Sequence, residues 1–220
     1  MLMYSRIVGP LAANCYVVVC ERTGETLIID PGFFTDEAKK ILSEIIRRGF
    51  KVKQILNTHG HVDHISGNSI LKEATGASLL IHKDDASMLS DPSKNLSYML
   101  GHSVVSPEAD RLVEDGETLK VGDLRFTVIH TPGHTKGSIS LFSEREKVVF
   151  AGDALFAGSI GRTDLPGSSF NEMMRSLRWK LMKLPEETVV YPGHGGKTTI
   201  GREKRTNPFL STLWKNFPRV

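Results

Sequence analysis

Cysteine is nearly missing from this chain, with two residues in 220, Cys15 and Cys20. They stand five apart on "NCYVVVC", a stretch that reads as a strand. Residues an odd number apart on a strand face opposite sides, so the pair is poorly placed for a disulfide. A reducing, cytoplasmic setting is the expectation. Long apolar runs are missing too. Nothing approaches the roughly 18 residues of a membrane span, and no membrane partner is expected. "IVGPLAANCYVVVC" follows Arg6 in the manner of a signal peptide, but Pro10 and Asn14 interrupt it. No cleavage-like site precedes "ERTGETLIID", so a first strand is the better reading. An excess of one charge is also lacking. The 28 Lys and Arg against 25 Asp and Glu leave +3, too little to argue for nucleic acid. What is present, 40% hydrophobic and 24% charged residues, suits a globular protein with a real core. The length fits one large α/β domain over 1–220.

Strands and helices alternate along the chain. "NCYVVVCE" and "TLIIDPG" read as buried strands around a turn at Thr23-Gly24. A helix follows from about Asp36, with Thr35 as N-cap and Gly49 as its end. Ala38, Ile41, Leu42, Ile45 and Ile46 share one face. "KQILNT" is a strand, "SGNSILKEATG" a short helix and "SLLIH" another strand. The stretch 88–115, with Pro92 and Pro107 and no clean period, reads as a linker or flap. "TLKVGDLRFTVIHT" reads as a hairpin turning at Gly122-Asp123, and "GSISLFS" and "KVVFAGDALF" as strands. A second helix starts at Ser169, with Glu172 completing a capping box. Phe170, Met174, Leu177, Leu181 and Leu184 form its buried stripe, and Pro185 stops it. "TVVYPGHGG" is the last strand and its exit loop. Each half thus runs strands, helix, strand and a histidine-bearing loop. Two similar halves, roughly 1–100 and 113–220, are expected to pack sheet against sheet with helices outside.

The chemistry sits at strand ends. "LNTHGHVDHISGN" holds His59, His61, Asp63 and His64 within six residues. Such a cluster repels itself when protonated and offers little to a core, so a cation should compensate it. His134 in "HTPGHTKGS", Asp153 in "FAGDALF" and His194 in "YPGHGG" each follow an apolar run beside Gly or Pro, where a scaffold presents functional groups. In an extended loop His59, His61 and Asp63 share a side and His64 points away, with Gly60 leaving room for close packing. Five His and two Asp suit zinc, iron or manganese rather than copper(I) or an iron–sulfur cluster. Seven ligands exceed one tetrahedral ion, which favours two metals sharing a carboxylate. His82 and His102 fall outside any motif and read as surface or satisfied histidines. His130 ends a strand and reads equally as core, edge or support for the ligands. Asp30 in "IIDPG" reads as a turn former before Pro31 or as such a support.

"THGHVDH", with Asp30 upstream and His134, Asp153 and His194 downstream, resembles the metallo-β-lactamase superfamily over nearly the whole chain. "GRTDLPG" and "TTIGREKRTNPFL" further resemble its short glyoxalase II-like hydrolases. The resemblance implies an αββα sandwich with the site along one edge. It implies one metal on His59, His61 and His134, a second on Asp63, His64 and His194, and Asp153 bridging. Asp30 would then fix a ligand loop or imidazole. Two divalent ions, two Asp and one hydroxide would leave about one positive charge, which lowers the pKa of bound water toward neutrality. The implied reaction is thioester hydrolysis by metal-bound hydroxide, with zinc the first expectation and Asp63 and Asp153 the catalytic carboxylates. No Ser elbow or Cys–base pair competes for the role of nucleophile.

Glyoxalase II-like enzymes act on glutathione thioesters such as S-lactoylglutathione. A cation nine residues after the bridging Asp helps bind glutathione there, and Arg162 holds that position here. The chain departs from the pattern in two places. Gly195-Gly196 stands where an aromatic hydroxyl is usual, and a C-terminal glutathione-binding helical domain is not expected before Val220. Lys197, Arg202, Lys204 and Arg205 could contact anions or form a solvated basic face. Iron-dependent persulfide dioxygenases resemble the chain as well, and would use one iron on His61, His134 and Asp153. A β-lactamase proper is disfavoured, since no export signal is seen and Asp153 stands where those enzymes commonly carry Cys. A small-molecule partner is expected and nucleic acid is not; the oligomeric state is open.

Overall fold

The computed structural model describes residues 1–101 and 103–211; His102 lies outside them. The first half runs β1 (Leu2–Val8), β2 (Ala13–Val19), β3 (Glu25–Ile29), α1 (Thr35–Arg47), β4 (Lys51–Leu56), α2 (Val62–Ile65), α3 (Asn68–Thr75), β5 (Ser78–His82), α4 (Ala86–Ser90) and β6 (Arg111–Val113). The second runs β7 (Thr118–Val121), β8 (Leu124–His130), β9 (Ile139–Ser143), β10 (Val148–Gly152), β11 (Leu155–Phe156), β12 (Ser159–Ile160), α5 (Phe170–Trp179), β13 (Val189–Pro192), β14 (Thr198–Thr199), α6 (Ile200–Thr206) and α7 (Pro208–Ser211). Two six-stranded sheets result, ordered β1-β2-β3-β4-β5-β6 and β14-β13-β10-β9-β8-β7, with β11-β12 as a separate hairpin. Both sheets are mixed: β3-β4-β5-β6 and β10-β13 pair parallel, the others antiparallel.

Alternation along β2 shows how the layers form. Cys15, Val17 and Val19 enter the core under α1 and α3, while Tyr16, Val18 and Cys20 enter the core between the sheets. A third core holds the second sheet against α5, α6 and the 3₁₀ turn Leu181–Lys183. The architecture is the expected αββα sandwich. Both thiols are buried and free, one in each of two cores.

Several local expectations are corrected. The N-terminal stretch is two strands, β1 and β2, joined by the turn after Gly9. Phe34, not Thr35, is the cap residue of α1. The Glu37 carboxylate accepts the Phe34 and Gly9 N–H groups, so a long-range contact moved the helix start by one residue. Ile46 is exposed rather than on the buried face. Phe170 is exposed and Met173 takes its place in the buried stripe, because Met173 meets the backbone of Gly133. The helix stops at Trp179, and Leu181 belongs to the following 3₁₀ turn. The described residues of the 88–115 stretch finish α4, form a 3₁₀ turn at Ser97–Leu100 and add β6 to the first sheet. No helix of the described residues is long and apolar enough to cross a membrane.

Candidate metal centre

The ligand loops leave the ends of strands along one edge of the sandwich. Asp30 follows β3 in the left-handed region, φ 52°. Its two oxygens accept from the Thr58 N–H and hydroxyl, both at 2.7 Å. That stitches the exit of β3 to the exit of β4, where His59 begins the cluster. His61 is extended, and Val62 starts a helical turn. The period-two reading therefore fails at Asp63. The turn swings it away from His59 and His61 and sets it beside His64.

Two triads form, His59 with His61 and His134, and Asp63 with His64 and His194. Within each, the potential ligand atoms lie within 4.8 Å of one another. His61 Nδ1 faces His134 Nε2 at 2.9 Å. His194 Nε2 lies 3.1 Å from Asp63 Oδ2 and His64 Nε2 lies 3.5 Å from it. Asp153, just past β10, stands between the triads. Its Oδ2 is 3.5 Å from His134 Nε2 and 3.6 Å from His194 Nε2, and its Oδ1 is 3.6 Å from His64 Nε2. Gly193 lets this happen, since a Cβ there would fall 2.0 Å from Asp153 Oδ1. The His194 loop is held by the start of β2: Asn14 N–H donates to Gly193 O at 2.7 Å and the Tyr16 hydroxyl to Pro192 O at 2.6 Å.

Behind three of the rings the other nitrogen meets a neighbour, while His61 Nε2 is buried without one. His134 Nδ1 contacts Arg162 O at 2.8 Å, leaving Nε2 for a ligand role. His64 Nδ1 lies 3.0 Å from Asp30 Oδ2 as a charge contact without hydrogen-bond geometry, through which Asp30 can act on His64. His59 Nδ1 meets Thr58 Oγ1 at 3.2 Å. His59 Nε2, His64 Nε2 and Asp153 Oδ1 are buried with no hydrogen-bond partner. Orphaned lone pairs converging from two triads on one carboxylate fit a pair of divalent cations.

The charges lean the same way. Burial and the neighbouring imidazoles hold His59 well below its ordinary pKa, and burial with His134 holds His61 at about 3. Both are neutral, as ligands must be. Burial pulls His64 down, but Asp63, Asp30 and Asp153 outweigh it and raise it to about 10. Burial pushes the Asp63 carboxyl up, and His64 and His194 outweigh that to keep it below the usual carboxylate range. His64 must therefore surrender a proton to bind an ion. Metal uptake by stripped protein is expected to release protons throughout the window below about pH 10, where His64 is charged before uptake. Affinity should rise with pH across that window. Calorimetric titration in buffers of different ionisation enthalpy reads this directly; an enthalpy independent of buffer would refute it.

Sequence reasoning missed Asp85. This carboxylate is buried in the 3₁₀ turn after β5. It accepts Gly60 N–H at 3.0 Å, Gly137 N–H at 2.7 Å and the Thr135 hydroxyl at 2.6 Å. It thus ties the His59–His61 loop to the His134 loop. Its local signal, an Asp after a strand, is too common to mark it. Asp85→Ala leaves buried donors unpaired at roughly 1–3 kcal/mol each. It should lower Tm and weaken metal binding on the order of tenfold or more, read by thermal melts with competitive chelation.

Other candidates go elsewhere. His130 contacts Lys136 O at 2.8 Å and stacks on buried His82 at 4.1 Å, joining β8 to β5 without touching a ligand. Lys204 and Arg205 pair with Glu186, and Lys197 and Arg202 are exposed. The Arg162 side chain lines the cavity over the metal ligands, where Asp164 engages it with two 2.9 Å hydrogen bonds.

A fold of two mixed sheets between helices, with two His/Asp triads meeting at one carboxylate, defines a metal-dependent hydrolase class, and the comparisons agree. The profile of the Metallo-beta-lactamase superfamily matches residues 8–194, and the chain belongs to that superfamily. It is 43% identical over 208 residues to an uncharacterized Aquifex aeolicus protein, covering 94% of this chain and 95% of that one. It is 38% identical to the probable metallo-hydrolase YqgX of Bacillus subtilis, covering 93% and 95%. It is 36% identical to the hydroxyacylglutathione hydrolase GloC of Haemophilus influenzae, covering 84% and 87%. Among solved structures it resembles BLEG-1 B3 metallo-beta-lactamase (TM-score 0.90, 36% identity, covering 96% and 100%). It also resembles TTHA1623 in a di-iron-bound form (0.83, 36%, covering 94% and 100%). A more distant likeness is ETHE1 from Myxococcus xanthus (0.78, 29%, covering 100% and 93%).

Proposed function

We propose that this metal-dependent hydrolase cleaves a thioester, with glutathione as the thiol carrier. The observation that carries the reading is the pair of three-ligand groups converging on Asp153. The likeness to the Haemophilus hydroxyacylglutathione hydrolase supports the substrate class. The chemistry supplied by bound ions is Lewis acidity toward the carbonyl and a lowered pKa for water. Zinc suits the donor set first; iron, carried by the TTHA1623 neighbour, is the second choice. The chain's own residues do the positioning. Asp153 keeps the two triads in register, Asp30 holds His64, and the Arg162 carbonyl holds His134. Of the seven ligands His194 is the most open, its side chain 26% exposed. The Arg162 guanidinium would grip a carrier carboxylate remote from the reacting carbon.

The deciding experiment is elemental analysis of protein purified without added metal, then turnover of a thioester panel with oxygen monitored. Up to two metals per chain and hydrolysis without oxygen uptake are expected. Oxygen consumption with glutathione persulfide by iron-loaded protein that spares thioesters would instead favour a one-iron dioxygenase on His61, His134 and Asp153. The likeness to BLEG-1 places a β-lactam in the same panel, and preferential β-lactam cleavage would overturn the thioester reading.

The carrier grip has its own test. Arg162→Ala should raise KM on the order of tenfold for glutathione thioesters with kcat nearly kept, because the contact is equal in ground and transition states. Asp164→Ala frees the guanidinium and should lower KM. Equal losses for thioesters lacking the glycine carboxylate would assign Arg162 to holding its loop through Asp164.

A further inference from the structure

A cavity of about 360 Å³ opens over the metal ligands, and its walls are apolar: Leu11, Leu96, Met99, Leu100, Phe156 and Leu165. Apart from the ligands, Arg162 is the one side chain of this lining that forms strong hydrogen bonds, and Asp164 already engages it. Leu96, Met99 and Leu100 come from the stretch between α4 and β6, and that stretch is built as a wall. Asn95 is buried and works in three directions. Its carbonyl accepts Val62 N–H at 2.9 Å, its Oδ1 accepts Ser97 N–H at 3.0 Å, and its amide donates to Val104 O at 2.9 Å. Val62 adjoins Asp63, so the wall is pinned beside a ligand. Leu96 sits in the left-handed region at φ 64° yet is only 5% exposed. A leucine keeps that conformation only where its surroundings hold it. Past it, Met99 lines the cavity and is 59% exposed, apolar surface left uncovered there.

On the thioester reading above, on which this inference rests, the carrier lies toward Arg162 and the acyl group toward Leu96–Leu100. We infer that the acyl group is an unsubstituted hydrocarbon chain of several carbons, seated on this wall. A hydroxyl there would leave water and meet no partner. A methylene there leaves water for carbon. Each methylene buried should raise kcat/KM roughly threefold to fourfold until the cavity is filled.

The test uses the metal-loaded full chain and glutathione thioesters of acetate, butyrate, hexanoate, octanoate and lactate. A rise along the straight-chain series, with lactoyl below butyryl, is expected. A flat or falling series, or lactoyl ahead of butyryl, overturns the inference. So does a second series, acetyl thioesters of lengthening alkanethiols, if the gain follows the thiol instead. Met99→Gln, at an exposed position, should reduce the gain per methylene; an unchanged slope counts against the wall. If no thioester is cleaved, the reaction reading fails by itself. The wall is then read from calorimetric binding of the C2–C8 carboxylates. Affinity rising with length sustains it, and no length dependence overturns it.

Discussion

Asp153→Asn is expected to lose metal and activity together. The carboxylate is buried and within 3.5–3.6 Å of imidazoles from both triads. Asn keeps the shape, removes the charge, and turns one acceptor into a donor pair facing imidazole nitrogens. The two cations would then be compensated by one carboxylate charge, that of Asp63, in place of two. Breaking a buried charge contact of this kind costs roughly 3–5 kcal/mol, a hundredfold to several-thousandfold in affinity. The fold should persist, since Asp153 is held by backbone at the end of β10 rather than by its side chain. Elemental analysis, circular dichroism and turnover on the same sample check this. Full metal occupancy with unchanged turnover would sink the assignment of Asp153 as the shared ligand.

Asp30→Asn should have the next largest effect, by a different route. The new amide must still offer its oxygen to the Thr58 N–H, 2.7 Å away. Its nitrogen then faces the Thr58 hydroxyl and His64 Nδ1, which sit 2.7 and 3.0 Å from the wild-type oxygen. Donating to Nδ1 moves the His64 proton to Nε2, the nitrogen aimed at Asp63 and Asp153. The lone pair needed for a metal is then occupied by hydrogen. Metal at the Asp63–His64–His194 triad should weaken on the order of tenfold to a hundredfold, with the other triad nearly intact. Cobalt-substituted protein distinguishes the two. One class of spectral band should fade while the other stays, and stoichiometry should approach half. Equal weakening at both triads would mean that Asp30 supports the loop as a whole rather than His64.

Much of this molecule is legible without coordinates, and for a common reason. His59, His134, Asp153 and His194 each lie just beyond an apolar run and adjoin Gly, so they are marked by signals a few residues long. The helix at α1, the Gly122-Asp123 turn and the opposite faces of Cys15 and Cys20 depend on equally short patterns. Long-range contacts decided the rest. The helical turn at Val62 separates Asp63 from His61, and its N–H is satisfied by Asn95. Asp85 joins Gly60 to Thr135 and Gly137, across gaps of 25, 50 and 52 residues. The wall at Leu96 needs a left-handed leucine, which no local preference would propose. Sequence by itself determined which side chains are candidates for the chemistry and the order in which strand ends present them. Only the tertiary structure decided the distances within each triad, what lies behind each ring and which side chains line the cavity over them. Those depend on loop closures between elements distant in the chain, and periodicity carries no record of them.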